Sequence, residues 1–321
     1  MKLSFREANK TLLQGVLFLA LILSGFSSLA NDRIYAECQG SEGALDTRYC
    51  IEKNISELPF VLIPYKPNYF IGSYVDGLSG TAEEFQNFET KFQISFKVPL
   101  SDYDDPASCL WIKNTRCITY FAYSQMSVWQ MTNFDRSAPF RDTNFEPELI
   151  VAQSFKSKAA ADWQLRQINY APVNHQSNGK VPPFSRSWNR SYIDFVFEKS
   201  KHYISFKAWT RWPEHKKANP ADFQGDDNEH IEKYVGNVEL KYFYAGDRSS
   251  YSVEIRDSEF NSNKVNFQFN WSRPIKDIFT LLDKNDLRLY VQYFNGYGET
   301  LIDFNVKRQR FGIGVMLADW L

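Results

Sequence analysis

Phe88-Glu89-Thr90-Lys91-Phe92-Gln93-Ile94-Ser95-Phe96-Lys97-Val98 alternates with period two over its whole length. The apolar side chains and Thr90 point one way, and Glu, Lys, Gln and Ser point the other, which is the pattern of a two-faced β-strand. Similar runs occupy Asn68–Tyr74, Cys117–Gln130, Glu148–Lys156, Trp163–Asn174, Trp188–Lys199 and His202–Trp212. The series continues with Ile231–Ala245, Tyr251–Ser258, Asn263–Pro274, Leu287–Tyr297 and Phe311–Leu321. About twelve strands of roughly ten residues match the strand length of a transmembrane barrel. Turn-rich segments separate them, among them Gly246–Ser249, Asp283–Asp286 and the long charged connector Pro213–His230.

Composition narrows the choice. The 321 residues are 43% hydrophobic, with 37 bases against 38 acids, so no basic surplus exists to hold a nucleic-acid backbone. Mean hydropathy of -0.44 excludes a helical membrane bundle. Aromatic residues nevertheless reach 17%, an excess that suits strands and interfaces. Rings gather at expected strand ends, at Tyr69, Phe70, Trp111, Trp129, Trp163, Trp209, Trp212, Trp271 and Trp320, as in the girdles of a membrane barrel. The chain also ends on a strand, with Trp320 penultimate and Leu321 last. A soluble sandwich would share the alternation but not these two features. The fold expected is all-β, a twelve-stranded antiparallel transmembrane β-barrel over residues 67–321.

Lys2, Arg6 and Lys10, the apolar run Leu12–Phe26 and Ser28-Leu29-Ala30 read as a secretory signal peptide over residues 1–30. Removing it takes away those three bases and Glu7, which shifts the formal net charge from -1 to -3. Residues 31–66 then form a short N-terminal periplasmic extension. Four cysteines in an exported chain suggest two disulfides, and proximity favours Cys38–Cys50 and Cys109–Cys117 among the three possible pairings.

The chemistry sits in Asn174-His175-Gln176-Ser177-Asn178-Gly179 followed by Ser185-Arg186-Ser187-Trp188-Asn189-Arg190. His175 and Ser177 are two apart and so share one face of a strand. The intervening turn returns Asn189 as a cross-strand neighbour. A hydroxyl, an imidazole and a group that orients the imidazole are the parts of an activated nucleophile. Asparagine does the orienting without burying a charge, which suits a lipid-facing wall. His202, His215 and His230 carry no comparable surroundings.

These two motifs resemble the signature of bacterial outer-membrane phospholipase A, N-H-x-S-N-G and S-R-S-W-N-R. The resemblance extends to Pro59-Phe60, Pro64-Tyr65 and Asn68-Tyr69, to Ser137–Pro147 and to Gly296–Asn305, and runs from about residue 58 to the C-terminus. It implies a twelve-stranded barrel in a Gram-negative outer membrane and hydrolysis of acyl esters of phospholipids and lysophospholipids. It implies Ser177 as nucleophile, His175 as base and Asn189 as third member. It further implies Ca2+ dependence and an active homodimer. By position, the dimer-site ligands are Ser185, the carbonyl of Lys180 and Ser137 of the other subunit, with Gln125 at the interface. Asp227 matches an acid that holds calcium in the monomer. Lys180 replaces the family's arginine, and Pro182 stands where an aspartate is expected beside that second site. The alternatives are a barrel of the same family that is catalytically silent, with a structural or channel role, and a soluble strand protein.

Overall fold

The alternating stretches close into a ring. The computed structural model describes residues 37–38, 43–58, 61–78, 84–109, 115–156, 162–219, 221–257, 264–278 and 287–318. The expected leader, the Asp283–Asp286 turn, Trp111 and the terminal Trp320 lie outside the described residues. A two-residue strand β1 (Ile63–Pro64) precedes β2 (Asn68–Val75), β3 (Phe88–Pro99), β4 (Arg116–Trp129) and β5 (Phe140–Ser154). Then follow β6 (Gln164–Ser177), β7 (Ser187–Lys199), β8 (His202–Arg211), β9 (Val238–Ala245) and β10 (Ser250–Asp257). The last are β11 (Asn266–Pro274), β12 (Arg288–Gly296) and β13 (Arg308–Ala318). Each pairs antiparallel with its sequence neighbour from β2 onward, and β13 returns to β2 with Phe311 opposite Tyr74. Twelve strands therefore leave no open edge, and β1 adds two residues to β3 beyond the start of β2.

The barrel is inverted relative to a soluble protein. On β3, Glu89, Lys91, Ser95 and Lys97 are buried in the lumen, while Phe88 and Ile94 are exposed on the outer wall. On β13, Arg310 is buried between the outward Phe311 and its neighbour two before. The lumen charges are paired. Glu89, fully buried, accepts from Arg141 Nε at 2.6 Å, Arg310 Nη2 at 2.9 Å and Gln130 Nε2 at 2.9 Å. Arg310 Nε reaches Glu299 at 2.8 Å, and Lys91 Nζ reaches the same carboxylate at 2.9 Å. A charge inside the barrel is tolerated because each partner offsets the other's lost hydration.

Helix α1 (Ala44–Ser56) lies in the barrel mouth opposite the Ser177 end, where β4 and β6 begin. Asp46 accepts from Arg116 at 2.5 Å and from Arg166 at 2.6 Å, and Glu52 receives Lys97 at 2.9 Å and Tyr120 at 3.0 Å. Disulfides join Cys38 to Cys50 and Cys109 to Cys117, the local pairing expected.

Three expectations are corrected. β5 begins at Phe140 rather than Glu148, because Arg141, Asp142 and Asn144 are lumen residues whose polarity hides the strand from a hydrophobic pattern. Ile231–Val235 is not strand: it forms the helical turn α2 (Glu232–Val235) with Ile231 as its N-cap, and Ile231 and Val235, four apart, are both buried. Gly236 then leaves at φ 87° against the Asp257 backbone, where a Cβ has no room, and β9 starts at Val238. Finally, Tyr69 and Trp209 are lumen residues rather than girdle rings, since Tyr69 packs on Tyr290 and Trp209 lies by the Arg190 guanidinium.

Replacing Glu89 with glutamine leaves two buried guanidiniums short of charge. We expect it to lower unfolding stability by about 3 kcal/mol, against less than about 1 kcal/mol for Lys53→Ala, which breaks the exposed pair to Asp104. Denaturant unfolding of the refolded barrel measures both, and equal losses would contradict the assignment.

Candidate active site

β6 and β7 pair with His175 opposite Asn189 and Ser177 opposite Ser187. Their lumen faces hold this register. Glu146 accepts from Asn174 Nδ2 at 2.9 Å, Lys66 Nζ at 2.8 Å and Arg190 Nη2 at 3.1 Å, and Arg190 Nε donates to Asn174 Oδ1 at 2.8 Å. Trp188 Nε1 donates to Gln176 Oε1 at 2.8 Å, and the Arg190 guanidinium stacks 4.0 Å over the Trp188 ring. Because side chains alternate, anchoring residues 174, 176, 188 and 190 inward places His175, Ser177 and Asn189 outward.

There, His175 Nδ1 and Asn189 Oδ1 stand 2.9 Å apart. An amide oxygen accepts only, so Nδ1 carries the proton and Nε2 offers its lone pair. All three residues are half-buried. Ser177 Oγ makes no hydrogen bond among the described residues, and it shares the outer face with His175 two residues before it. The Ser177 row continues to Phe145 and then Gln125 across β5 and β4. Gln125 is thus on the same outer wall, where it accepts from Tyr123 OH at 3.1 Å and donates to Ser127 Oγ at 3.4 Å.

The turn after Ser177 is built on Asn178, which sequence reading passed over. Its Oδ1 accepts from Lys180 N–H at 3.3 Å and Arg186 N–H at 2.9 Å, while Nδ2 donates to Phe184 O and Asp142 Oδ1. Asn178 is buried, and Gly179 follows at φ 64° against the Phe145 ring. Lys180 and Ser185 therefore hang on one hub, and Lys180 Nζ is drawn away to the Arg141 carbonyl at 2.5 Å. Asp142 also accepts from Ile302 N–H, so the Ser137–Pro147 and Gly296–Asn305 blocks meet beneath this turn.

For a calcium ion, the donor chemistry of Ser185 Oγ and the Lys180 carbonyl fits, since both are hard neutral oxygens. Asp227 fits less well: it accepts from Ser185 Oγ at 2.6 Å, and its other oxygen is held by the Lys217 ammonium. It is a half-buried acid paired with Lys217. Ser137 stands in the β4–β5 loop at φ 59°, and no hydrogen bond joins it to the Ser185 turn among the described residues.

A closed, even-stranded barrel with a charged lumen and an apolar wall defines a transmembrane barrel of outer-membrane type. The family model for phospholipase A1 matches residues 45–317. Phospholipase A1 of Proteus vulgaris is 33% identical over 272 residues, covering 81% of this chain and 83% of that protein. The Escherichia coli K12 enzyme is 34% identical over 273 residues with the same coverage. Outer membrane phospholipase A from Escherichia coli superposes with a TM-score of 0.68 at 32% identity, over 83% of this chain and 95% of that one. The Salmonella typhi outer membrane phospholipase dimer with bound calcium gives 0.68 and 32%, over 84% and 97%. The chain belongs to the phospholipase A1 family, and it is an outer-membrane barrel of a Gram-negative bacterium.

Asn178→Ala frees both ends of the turn while leaving His175, Ser177 and Asn189 unchanged. Misplacement by about 1 Å costs on the order of 100-fold, so fatty-acid release should fall by about that factor with unaltered barrel migration on gels. Wild-type release would remove Asn178 from the site.

Proposed function

We propose that this chain is a calcium-dependent outer-membrane serine hydrolase, a phospholipase A1/A2, that cleaves acyl ester bonds of phospholipids and lysophospholipids. The observation that carries the reading is the 2.9 Å His175–Asn189 contact on the outer wall, with Ser177 on the same face. A site on that wall meets an acyl chain within the lipid layer, so the substrate need not leave the membrane.

In this mechanism Asn189 fixes the imidazole with Nε2 towards Ser177. Nε2 takes the Oγ proton as Oγ bonds to the ester carbonyl carbon, and the ring returns that proton to the departing alkoxide. Water, deprotonated by the same nitrogen, then releases the fatty acid from Ser177. Ser185, the Lys180 carbonyl and Ser137 of the second subunit would hold Ca2+, whose charge supports the oxyanion. Gln125 lies on the outward row shared with Ser177, in place to hydrogen-bond across a homodimer interface. Residues 1–30 are read as a leader, 31–66 as a periplasmic extension and 67–321 as the catalytic barrel. Ion pairs crossing the lumen and α1 in its mouth oppose a channel role.

Ser177→Ala should abolish fatty-acid release from mixed micelles and block labelling by a fluorophosphonate probe. Retained release would end the serine mechanism. Chelation of calcium should silence the wild-type protein without unfolding it, and magnesium should not restore it, because Mg2+ demands a tighter octahedron.

A further inference from the structure

β6 is irregular just before His175. Its register against β7 shifts between Ala171 and Asn174, a bulge that leaves Pro172 and Val173 opposite Ser191. A backbone carbonyl displaced from its ladder on a lipid-facing wall finds no water, so it needs a partner within the protein. Ser191 Oγ donates to the Pro172 carbonyl at 2.7 Å, and Trp212 Nε1 donates to Ser191 Oγ at 2.9 Å. This relay ties one indole ring across three strands.

Trp212 stands in the row of His175 and Asn189. His175 is opposite Asn189, and the β7–β8 register carried one step past Arg190–Arg211 puts Asn189 opposite Trp212, whose N–H donates to the Asn189 carbonyl at 2.8 Å. With strands about 4.8 Å apart, the Trp212 backbone is roughly 10 Å from that of His175. Ser191 lies two residues after Asn189 on the same outer face, so the indole leans over β7 away from the Ser177 turn. Its polar edge is occupied there, and the surface left open is apolar. Trp212 is 40% exposed and Val173, across β7 at the bulge, is 39% exposed.

A ring that only anchors a barrel at the interface turns its N–H to the wet side. Trp212 turns its N–H along the wall instead, into the relay. The other sides of the site are already assigned. The turn bearing Lys180 and Ser185 lies at the barrel end, and the Ser177 row runs over β5 and β4 through Phe145 to Gln125, the side given to the second subunit. A diacyl phospholipid with one ester at Ser177 carries a second chain, and the side left for it is β7 and β8.

Resting on the hydrolase reading above, we propose that Trp212 is a specificity-determining residue: its indole, with Val173, forms a shelf for the acyl chain of a diacyl phospholipid that is not being cleaved. A lysophospholipid has no such chain and leaves the shelf empty. Lipid tails are as apolar as the protein wall, so moving a chain onto the shelf brings no hydrophobic gain. The shelf acts by shape. A rigid ring held at both its backbone and indole nitrogens limits where the second chain lies, and with it where the scissile ester rests against Ser177.

The test uses the refolded full chain in mixed micelles with saturating calcium, and compares a diacyl phosphatidylcholine with its lysophospholipid at equal mole fraction in one detergent. Trp212→Ala should lower kcat/KM for the diacyl lipid about tenfold more than for the lysophospholipid. Trp212→Phe, which keeps a flat ring, should restore part of that ratio. Ser191→Ala frees the indole without removing it and should lower the ratio by a smaller factor; it carries the same test if Trp212→Ala does not refold. A diacyl-to-lysophospholipid ratio equal to or above that of wild type overturns the proposal. With both activities intact, Trp212 is then a girdle ring; with both reduced alike, it braces Asn189 and selects nothing. Ser177→Ala run in parallel separates the two readings. Fatty-acid release there defeats the serine mechanism itself, whereas a dead Ser177→Ala beside a wild-type ratio in Trp212→Ala defeats only the shelf.

Discussion

Glu89 sits in the lumen with no solvent exposure, clasped by Arg141 from β5 and Arg310 from β13. Those strands are far apart in sequence, and a carboxylate between two guanidiniums links them across the barrel. Through Glu299 and Asp303 the same network reaches Lys91 and the β12–β13 loop. Through Asp142 and Asn144, next to Arg141 in β5, it reaches Ile302, Leu301 and the Asn178 turn. The wall facing lipid offers mostly apolar contacts, so specificity of register comes largely from inside, where an unpaired charge is heavily penalised.

The site inherits this constraint. His175, Ser177 and Asn189 face outward because Asn174, Gln176, Trp188 and Arg190 are committed inward. On the proposed hydrolase reading, an outward site in a membrane must limit its formal charge, which accounts for the amide of Asn189 where many hydrolases carry an acid. The charges nearby are displaced into the connector between β8 and β9, where they pair as Arg211–Asp226 and Lys217–Asp227. The β6–β7 pair and the charged loop are thus two layers, joined by the Trp212–Asn189 hydrogen bond.

Strand alternation was legible wherever the lumen face was polar and the lipid face apolar, as in β3 and β7. It failed where both faces were polar: Phe140–Pro147 reads as a turn until Arg141, Asp142 and Asn144 are seen to have partners on other strands. It failed again at Ile231–Val235, where a run of mixed residues fits two periods equally until burial chooses the helical one. Aromatic position was a partial guide. Trp129 stacks on Phe140 at the wall, but Tyr69 and Trp209 turn inward, and a one-residue change of face is invisible in a list of rings. Asn178 was quoted within a motif without a role, since a side chain that closes a turn on itself resembles any other loop asparagine.

The sequence by itself determined the alternation, the local cysteine pairs and the outward spacing of His175 and Ser177, all properties of neighbours along the chain. Only the tertiary structure decided which face is lumen, which acids are neutralised and which is not. Asp226, Asp227 and Glu214 are all acids of one loop, yet Arg211 and Lys217 claim the first two, while Glu214 has no ion-pair partner among the described residues. Charge pairing depends on distance in space, and in a closed barrel the residues that meet come from opposite ends of the chain.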